Sequence, residues 1–114
     1  MKPATLKALN ASIAHWERLV KNGPSQKEKI GPDSCALCGR FHPFHEPPCQ
    51  RYDGEQCPVF ANTGFTNCDG TPYLHVFHLT DGLIATLAHG VTLDRWRTEA
   101  RRELAFLKSL LPKT

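Results

Sequence analysis

Five cysteines lie between positions 35 and 68, and the rest of the chain contains none. The segment that carries them has few aliphatic side chains and many prolines and turn-forming residues. Such a segment cannot bury an apolar core of its own, and long irregular segments are uncommon in small domains unless something fixes them. The cysteines are the groups that can do so, through disulfides or through a bound metal ion.

Two of the cysteines belong to the pair Cys35-Ala36-Leu37-Cys38, which has the spacing of a zinc knuckle. This spacing lets two thiolates reach one ion from a single turn, and Gly39 suits a left-handed backbone position in that turn. An odd number of cysteines does not fit a complete set of disulfides. The pattern therefore predicts a structural Zn²⁺ ion, and the alternatives are disulfides or thiols that hold no metal.

The remaining ligands must come from the other three cysteines or from histidines between them. Cys57-Pro58 and Cys68-Asp69-Gly70 carry the turn-forming residues that suit metal-ligating positions. Cys49 follows two prolines in a more extended context, and His42 and His45 are further candidates. The sequence predicts the ligand set Cys35, Cys38, Cys57 and Cys68, and the main alternative exchanges Cys57 or Cys68 for Cys49.

Long helices are predicted on both sides of the cysteine segment. In residues 4–22 apolar side chains recur at steps of three and four, and Asn22-Gly23-Pro24 ends the pattern. In residues 92–111 Thr92 is a candidate N-cap, and Pro112 ends the helix. The two apolar stripes are Leu6, Leu9, Ile13, Trp16 and Val20, then Trp96, Ala100, Leu104, Leu107 and Leu111.

Residues 72–89 allow two interpretations. Thr71-Pro72 offers an N-cap followed by a proline at the first helical position, which favours a helix. Residues 73–79 are rich in strand formers, so a hairpin across Asp81-Gly82 is the alternative. Taken together, the elements predict one small α-rich domain over residues 1–114. In it, two long helices flank an irregular zinc-knuckle segment at 35–71, and a short helix or hairpin follows that segment.

The charge of the chain argues against a dedicated nucleic-acid binder. The formal net charge is +3, and four thiolates with one Zn²⁺ change it by −2, to about +1. A basic face on the last helix keeps nucleic-acid binding as the alternative function. The residues that would carry it are Arg95, Arg97, Arg101 and Arg102, although such charges more often form a solvated face.

Enzymatic motifs are incomplete in this chain. His45-Glu46 lacks the spacing of a zinc deaminase, and no phosphate-binding or nucleophile loop is present. His75 and His78 would share one face of a helix, which leaves a metal-dependent nuclease or hydrolase as the least favoured function. Four thiolates would complete a zinc shell and leave it little Lewis acidity. We therefore expect a non-catalytic protein-interaction module with a protein partner.

Several segments together resemble small zinc-binding proteins of bacteriophages and prophages, most of them uncharacterised. In those proteins a cysteine usually stands a few residues before the Cys-Pro pair, whereas here Cys49 precedes Cys57 by eight residues. The resemblance implies a helix after Thr71-Pro72-Tyr73, but it implies no activity. With a phage origin, we expect the protein-interaction module to act on a host or defence protein. The matching segments are residues 12–16, 33–38, 57–60, 63–64, 68–73 and 103–112.

The opening of the chain lacks the continuous apolar run of a signal peptide. No stretch approaches the length that spans a membrane. We therefore expect a cytoplasmic protein without a membrane partner, located in the host cytoplasm if a phage encodes it.

Overall fold

A computed structural model describes residues 1–30, 35–41, 55–64, 68, 71–81 and 84–112. These residues contain no strand beyond an isolated antiparallel bridge, and none of their helices is long and apolar enough to cross a membrane. The α-rich fold with two long helices is confirmed. The helices are α1 (Pro3–Asn22), α2 (Ala36–Phe41), α3 (Pro58–Thr63), α4 (Tyr73–His78) and α5 (Leu93–Ser109).

The first helix, α1, begins and ends where its sequence signals predict. Pro3 occupies the start, where its missing N–H costs no helical hydrogen bond. Gly23 ends the helix with φ +78°, and its N–H donates to the Leu19 carbonyl at 2.7 Å. The buried face of α1 contains Leu9, Ile13, Trp16 and Leu19, and it also buries the polar residues Thr5, Ser12 and His15.

The last helix, α5, is capped by Thr92, whose side chain accepts a hydrogen bond from the Arg95 N–H at 3.2 Å. Trp96, Ala100 and Leu107 are buried as the apolar stripe predicts. Glu103 is buried as well, at only 2% exposed, although it belongs to the charged residues that were expected to form the solvated face of this helix. Its position three residues after Ala100 and four before Leu107 places it on the buried side of the helix.

The two long helices pack against each other, α2 packs on α1, and α4 packs on α5. Arg97 joins the long helices directly, since its Nε donates to the Val20 carbonyl at 3.0 Å and its Nη2 to the Lys21 carbonyl at 2.9 Å. It thereby satisfies carbonyls in the last turn of α1 that have no helical partner. Within the core, the Trp96 Nε1–H donates to the Thr80 hydroxyl at 2.8 Å.

The predicted irregular segment contains two short helices, α2 and α3, that the sequence interpretation did not anticipate. Leu37 and Phe41 of α2 and Val59 of α3 enter the same core as the long helices. Gly39 lies inside α2 and does not take the predicted left-handed conformation. The left-handed glycine lies instead at Gly64, whose N–H donates to the Phe60 carbonyl and ends α3.

Residues 71–89 combine features of both predicted alternatives. The helix α4 comes first along the chain, and at its beginning the Thr71 hydroxyl accepts a hydrogen bond from the Tyr73 N–H at 3.1 Å. A tight reversal follows, in which Thr80 and Leu87 form an antiparallel bridge. The helix is therefore confirmed, and the hairpin is reduced to a single bridge. 

The polar segment that follows α1 is fixed to that helix. Glu28 accepts a hydrogen bond from Arg18 and forms a second one with the buried His15, with 2.7 Å between Nδ1 and Oε2. Ile30 is 2% exposed and belongs to the core. Residues 28–30 therefore lie against α1 and the core.

Candidate metal centre

The four predicted cysteine ligands stand at the beginnings of short helices or in the turn before one. Cys35 directly precedes α2, and its carbonyl accepts from the Gly39 N–H at 3.0 Å. Cys57 directly precedes α3, and its carbonyl accepts from the Ala61 N–H at 2.9 Å. Cys38 lies in the first turn of α2. We name Cys35, Cys38, Cys57 and Cys68 the thiol cluster.

The fourth member, Cys68, has an unusual backbone. Its φ is +62°, and it is the one described non-glycine residue in the left-handed region. Such a conformation is costly for a side chain with a Cβ and persists only where its surroundings hold it. Thr71 provides that support, because its N–H (3.2 Å) and its hydroxyl (2.8 Å) both donate to the Cys68 carbonyl.

The electrostatics of the cysteines place all four sulfur atoms in one neighbourhood. A hydrogen bond from the Cys38 thiol lowers the pKa of Cys35 to about 6, despite burial of that group. The pKa of Cys38 is raised, first by this hydrogen bond, then by burial and by the negative charges of Cys35, Cys68 and Cys57. Since charge on the other three thiolates disfavours ionisation of Cys38, all four ionise together only where a cation compensates their charge.

Three further side chains surround the thiol cluster. The Ser12 hydroxyl lies 3.6 Å from the Cys35 sulfur. Burial, followed by the charges of three of the thiols, raises the pKa of the Tyr73 phenol. Burial and then the charge of Cys35 raise the pKa of Glu103 to about 8. The Thr71 side chain and the Tyr73 backbone act in the opposite direction on the pKa of Glu103, which places α5 beside the turn that carries Cys68. Among the described residues, Glu103 Oε1 is buried without a hydrogen-bond partner.

The cysteines are neighbours, but their side chains are not arranged as an assembled coordination shell. Among the residues described, no three Cys, His, Asp or Glu side chains are placed so that they could hold a metal ion. No disulfide joins the four described cysteines to one another. The alternative ligands Cys49, His42 and His45 lie outside the described residues.

The other residues that the sequence singled out lie on α4 and α5. His75 and His78 are exposed, as are Arg95 and Arg101. The Nδ1 of His75 is 3.5 Å from Glu99 Oε2. Two of the four α5 arginines have partners within the protein, since Arg97 binds the carbonyls of α1 and Arg102 lies 3.2 Å from Glu99.

Sequence reasoning missed Ser12 and Glu103, although a usable signal was present. Each is a polar residue on the apolar face of its helix, Ser12 between Leu9 and Trp16 and Glu103 between Ala100 and Leu107. A buried polar side chain needs a partner. A polar residue inside an apolar stripe therefore points to a polar neighbour across the interface, which here is the thiol cluster and the turn beside it.

Glu103 is expected to make stability depend on pH. Its pKa is about 8 in the folded protein against 4.5 as the ordinary value, so between these values the folded state holds a proton that the unfolded state has released. The stabilisation from Glu103 is therefore complete below about pH 4.5 and is lost as the pH rises towards 8. Urea unfolding of the wild type and Glu103→Gln between pH 5 and 8 tests this expectation.

The variant cannot titrate at this position, so the difference between the two unfolding free energies isolates Glu103. As the pH rises, the unfolding free energy of the wild type should fall relative to that of the variant by up to about 1.4 kcal/mol per pH unit. Both proteins carry the same cysteines and must be compared at the same metal content. Parallel curves across this range would show that Glu103 is already ionised in the folded protein.

Comparison with known proteins yields no relative on which a family assignment can rest. No family model matches the chain, and neither the curated proteins nor the solved structures contain a significant match. The resemblance to phage zinc-binding proteins therefore stays a prediction.

Proposed function

We propose that this chain is a small structural zinc protein that works as a non-catalytic protein-binding module. In this proposal the thiol cluster closes one tetrathiolate zinc site, and the site fixes the surfaces that the partner recognises. A phage factor that acts on a host protein fits the same proposal. The observation that carries it is that Cys35, Cys57 and Cys68, which come from three separate parts of the chain, all lie close enough to Cys38 to raise its pKa.

The chemistry of these side chains suits Zn²⁺. Four thiolates satisfy its preference for four sulfur or nitrogen ligands in a tetrahedron. The ion would replace the hydrogen bond between Cys38 and Cys35 and would offset the thiolate charges that also raise the pKa of Cys38. The backbone carbonyls of Cys35 and Cys68, the first and last of the four ligands, accept local hydrogen bonds. The backbone at these two ligands is therefore held in place by the protein itself.

A structural role is favoured over a catalytic one by the ligand set. Four protein thiolates leave no coordination position for water or substrate, whereas catalytic zinc sites keep one open. The histidines of α4 are exposed, and neither belongs to the proposed ligand set. If these histidines catalysed hydrolysis, they would therefore do so without help from the proposed zinc ion.

Protein binding is favoured over nucleic-acid binding by the arginines of α5. Arg97 is committed to the end of α1, and Arg102 lies beside Glu99. Each phosphate contact in a nucleic-acid interface needs a cation that faces outward. The basic face of α5 is thus smaller than its sequence suggests.

Metal analysis tests the zinc site. We expect one Zn²⁺ per chain after purification without added chelator, and a Co²⁺-substituted protein with the intense charge-transfer bands of a tetrathiolate. Cys57→Ser should lose the metal at equal protein concentration. The matched control is Cys49→Ser, which removes the cysteine outside the predicted set and should retain it. A metal-free wild type contradicts the proposal, and loss of metal from Cys49→Ser alone contradicts the ligand set.

The binding role is tested with the zinc-loaded wild type and the zinc-free Cys57→Ser variant as baits. We expect a host protein that binds only the zinc-loaded bait, and that binds again when both proteins are purified and mixed. Duplex DNA and single-stranded RNA at low salt are the competing ligands. Nucleic-acid affinity that falls steeply with salt, and that Arg95→Ala and Arg101→Ala abolish, would replace this proposal.

A further inference from the structure

Ser12 lies at the contact between α1 and the beginning of α2. It is 1% exposed, and its Oγ is 3.6 Å from the Cys35 sulfur and 3.4 Å from the Leu37 backbone nitrogen. The Leu37 N–H can only donate, so the Ser12 oxygen accepts that hydrogen bond. The hydroxyl proton then remains available, and the Cys35 sulfur is the acceptor within reach.

Several other hydroxyls on or just past the helices bond locally, although Thr5 of α1, like Ser12, bonds outside its helix and donates to Glu55. Thr63, Thr80 and Thr98 donate to the carbonyl four residues before them, at 2.8, 2.8 and 3.0 Å. These bonds are the ordinary local solution for a hydroxyl on a helix. Ser12 instead contacts residues 23 and 25 positions further along the chain. On the apolar face of α1, Ser12 therefore contacts the thiol cluster through Cys35.

We infer that Ser12 is a positioning residue of the metal site, where its hydroxyl donates a hydrogen bond to the Cys35 thiolate. This inference rests on the proposed zinc function and adds to it. The Leu37 N–H fixes the direction of the hydroxyl, and α1 fixes its position. A hydrogen bond to a metal-bound thiolate withdraws electron density from sulfur, so it holds the ligand in place and makes it less reactive.

The test compares Co²⁺-substituted wild type with Ser12→Ala, and uses Ser109→Ala as the matched control. Ser109 is exposed at the end of α5 and donates to the Phe106 carbonyl. We expect Ser12→Ala to bind one metal ion per chain with roughly tenfold lower affinity. Its sulfur-to-cobalt charge-transfer band should move to lower energy, because an unbonded thiolate is the stronger electron donor. Ser109→Ala should match the wild type in both measurements.

The spectrum separates positioning from simple packing. A Ser12→Ala protein that is less stable but has an unchanged charge-transfer band would overturn the inference, as would unchanged metal affinity. Ser12→Thr keeps the hydroxyl and should restore both quantities, so alanine-like values in a folded Ser12→Thr protein also overturn it. A wild type that binds no metal refutes the proposed function itself. A wild type that binds one ion and is matched by Ser12→Ala refutes only the role of Ser12.

Discussion

Removal of zinc is expected to destabilise the protein by at least about 5 kcal/mol, since structural zinc supplies about 10–16 kcal/mol in small peptides and this chain also has an apolar core. The loss should appear first in α2, α3 and α4, because the thiol cluster lies at or beside their beginnings. Thermal unfolding by circular dichroism and amide hydrogen exchange, before and after chelation, measure the two effects.

The control is restoration by stoichiometric Zn²⁺ and lack of restoration by Mg²⁺, which prefers oxygen ligands. Leu37, Phe41 and Val59 belong to the same core as α1 and α5, so the long helices should also lose some protection. The expectation fails if the melting curve is unchanged while metal analysis proves that the ion has gone.

Trp96→Ala is expected to cost about 3–5 kcal/mol, the range for removal of a buried aromatic side chain. Trp96 is 0% exposed, and its indole N–H binds the Thr80 hydroxyl in the core. For a domain of this size the loss is a large part of the whole stability. Urea unfolding followed by circular dichroism gives the difference in the free energy of unfolding.

Arg101→Ala is the matched control, because Arg101 is exposed on the same helix and alanine keeps its helix propensity. The control should stay within about 0.5 kcal/mol of the wild type. Trp96→Phe separates the two contributions, since it keeps most of the apolar volume and removes the hydrogen bond to Thr80. Equal stabilities for Trp96→Ala and Arg101→Ala would mean that the α5 stripe does not form the core interface.

The long helices were predictable because each contains enough turns for its pattern to repeat. The apolar spacing locates both helices. Gly23 marks the end of α1, and Thr92 marks the beginning of α5. The helices α2 and α3 have six residues each, which is too short for periodicity to be visible. For α3 the flanking pair Pro58 and Gly64 was still a readable signal, of proline at the start and glycine past the end.

The surroundings of the thiol cluster were less predictable, because they depend on contacts between distant parts of the chain. The spacing of Cys35 and Cys38 predicts a pair of neighbouring thiols from local geometry alone. That Ser12 faces Cys35 depends on how α2 packs on α1. The burial of Glu103 depends likewise on how α5 meets the turn at Thr71, and no local pattern determines that arrangement.

The bond between Arg97 and the end of α1 also bears on the kinetics of folding. It joins residues 77 positions apart, so the principal helix pair can form only after a long loop has closed, and closure of long loops slows folding. The proposed metal ion would close part of that loop, because the thiol cluster joins residues 35 to 68. The two long helices would then come together faster with zinc bound than without it.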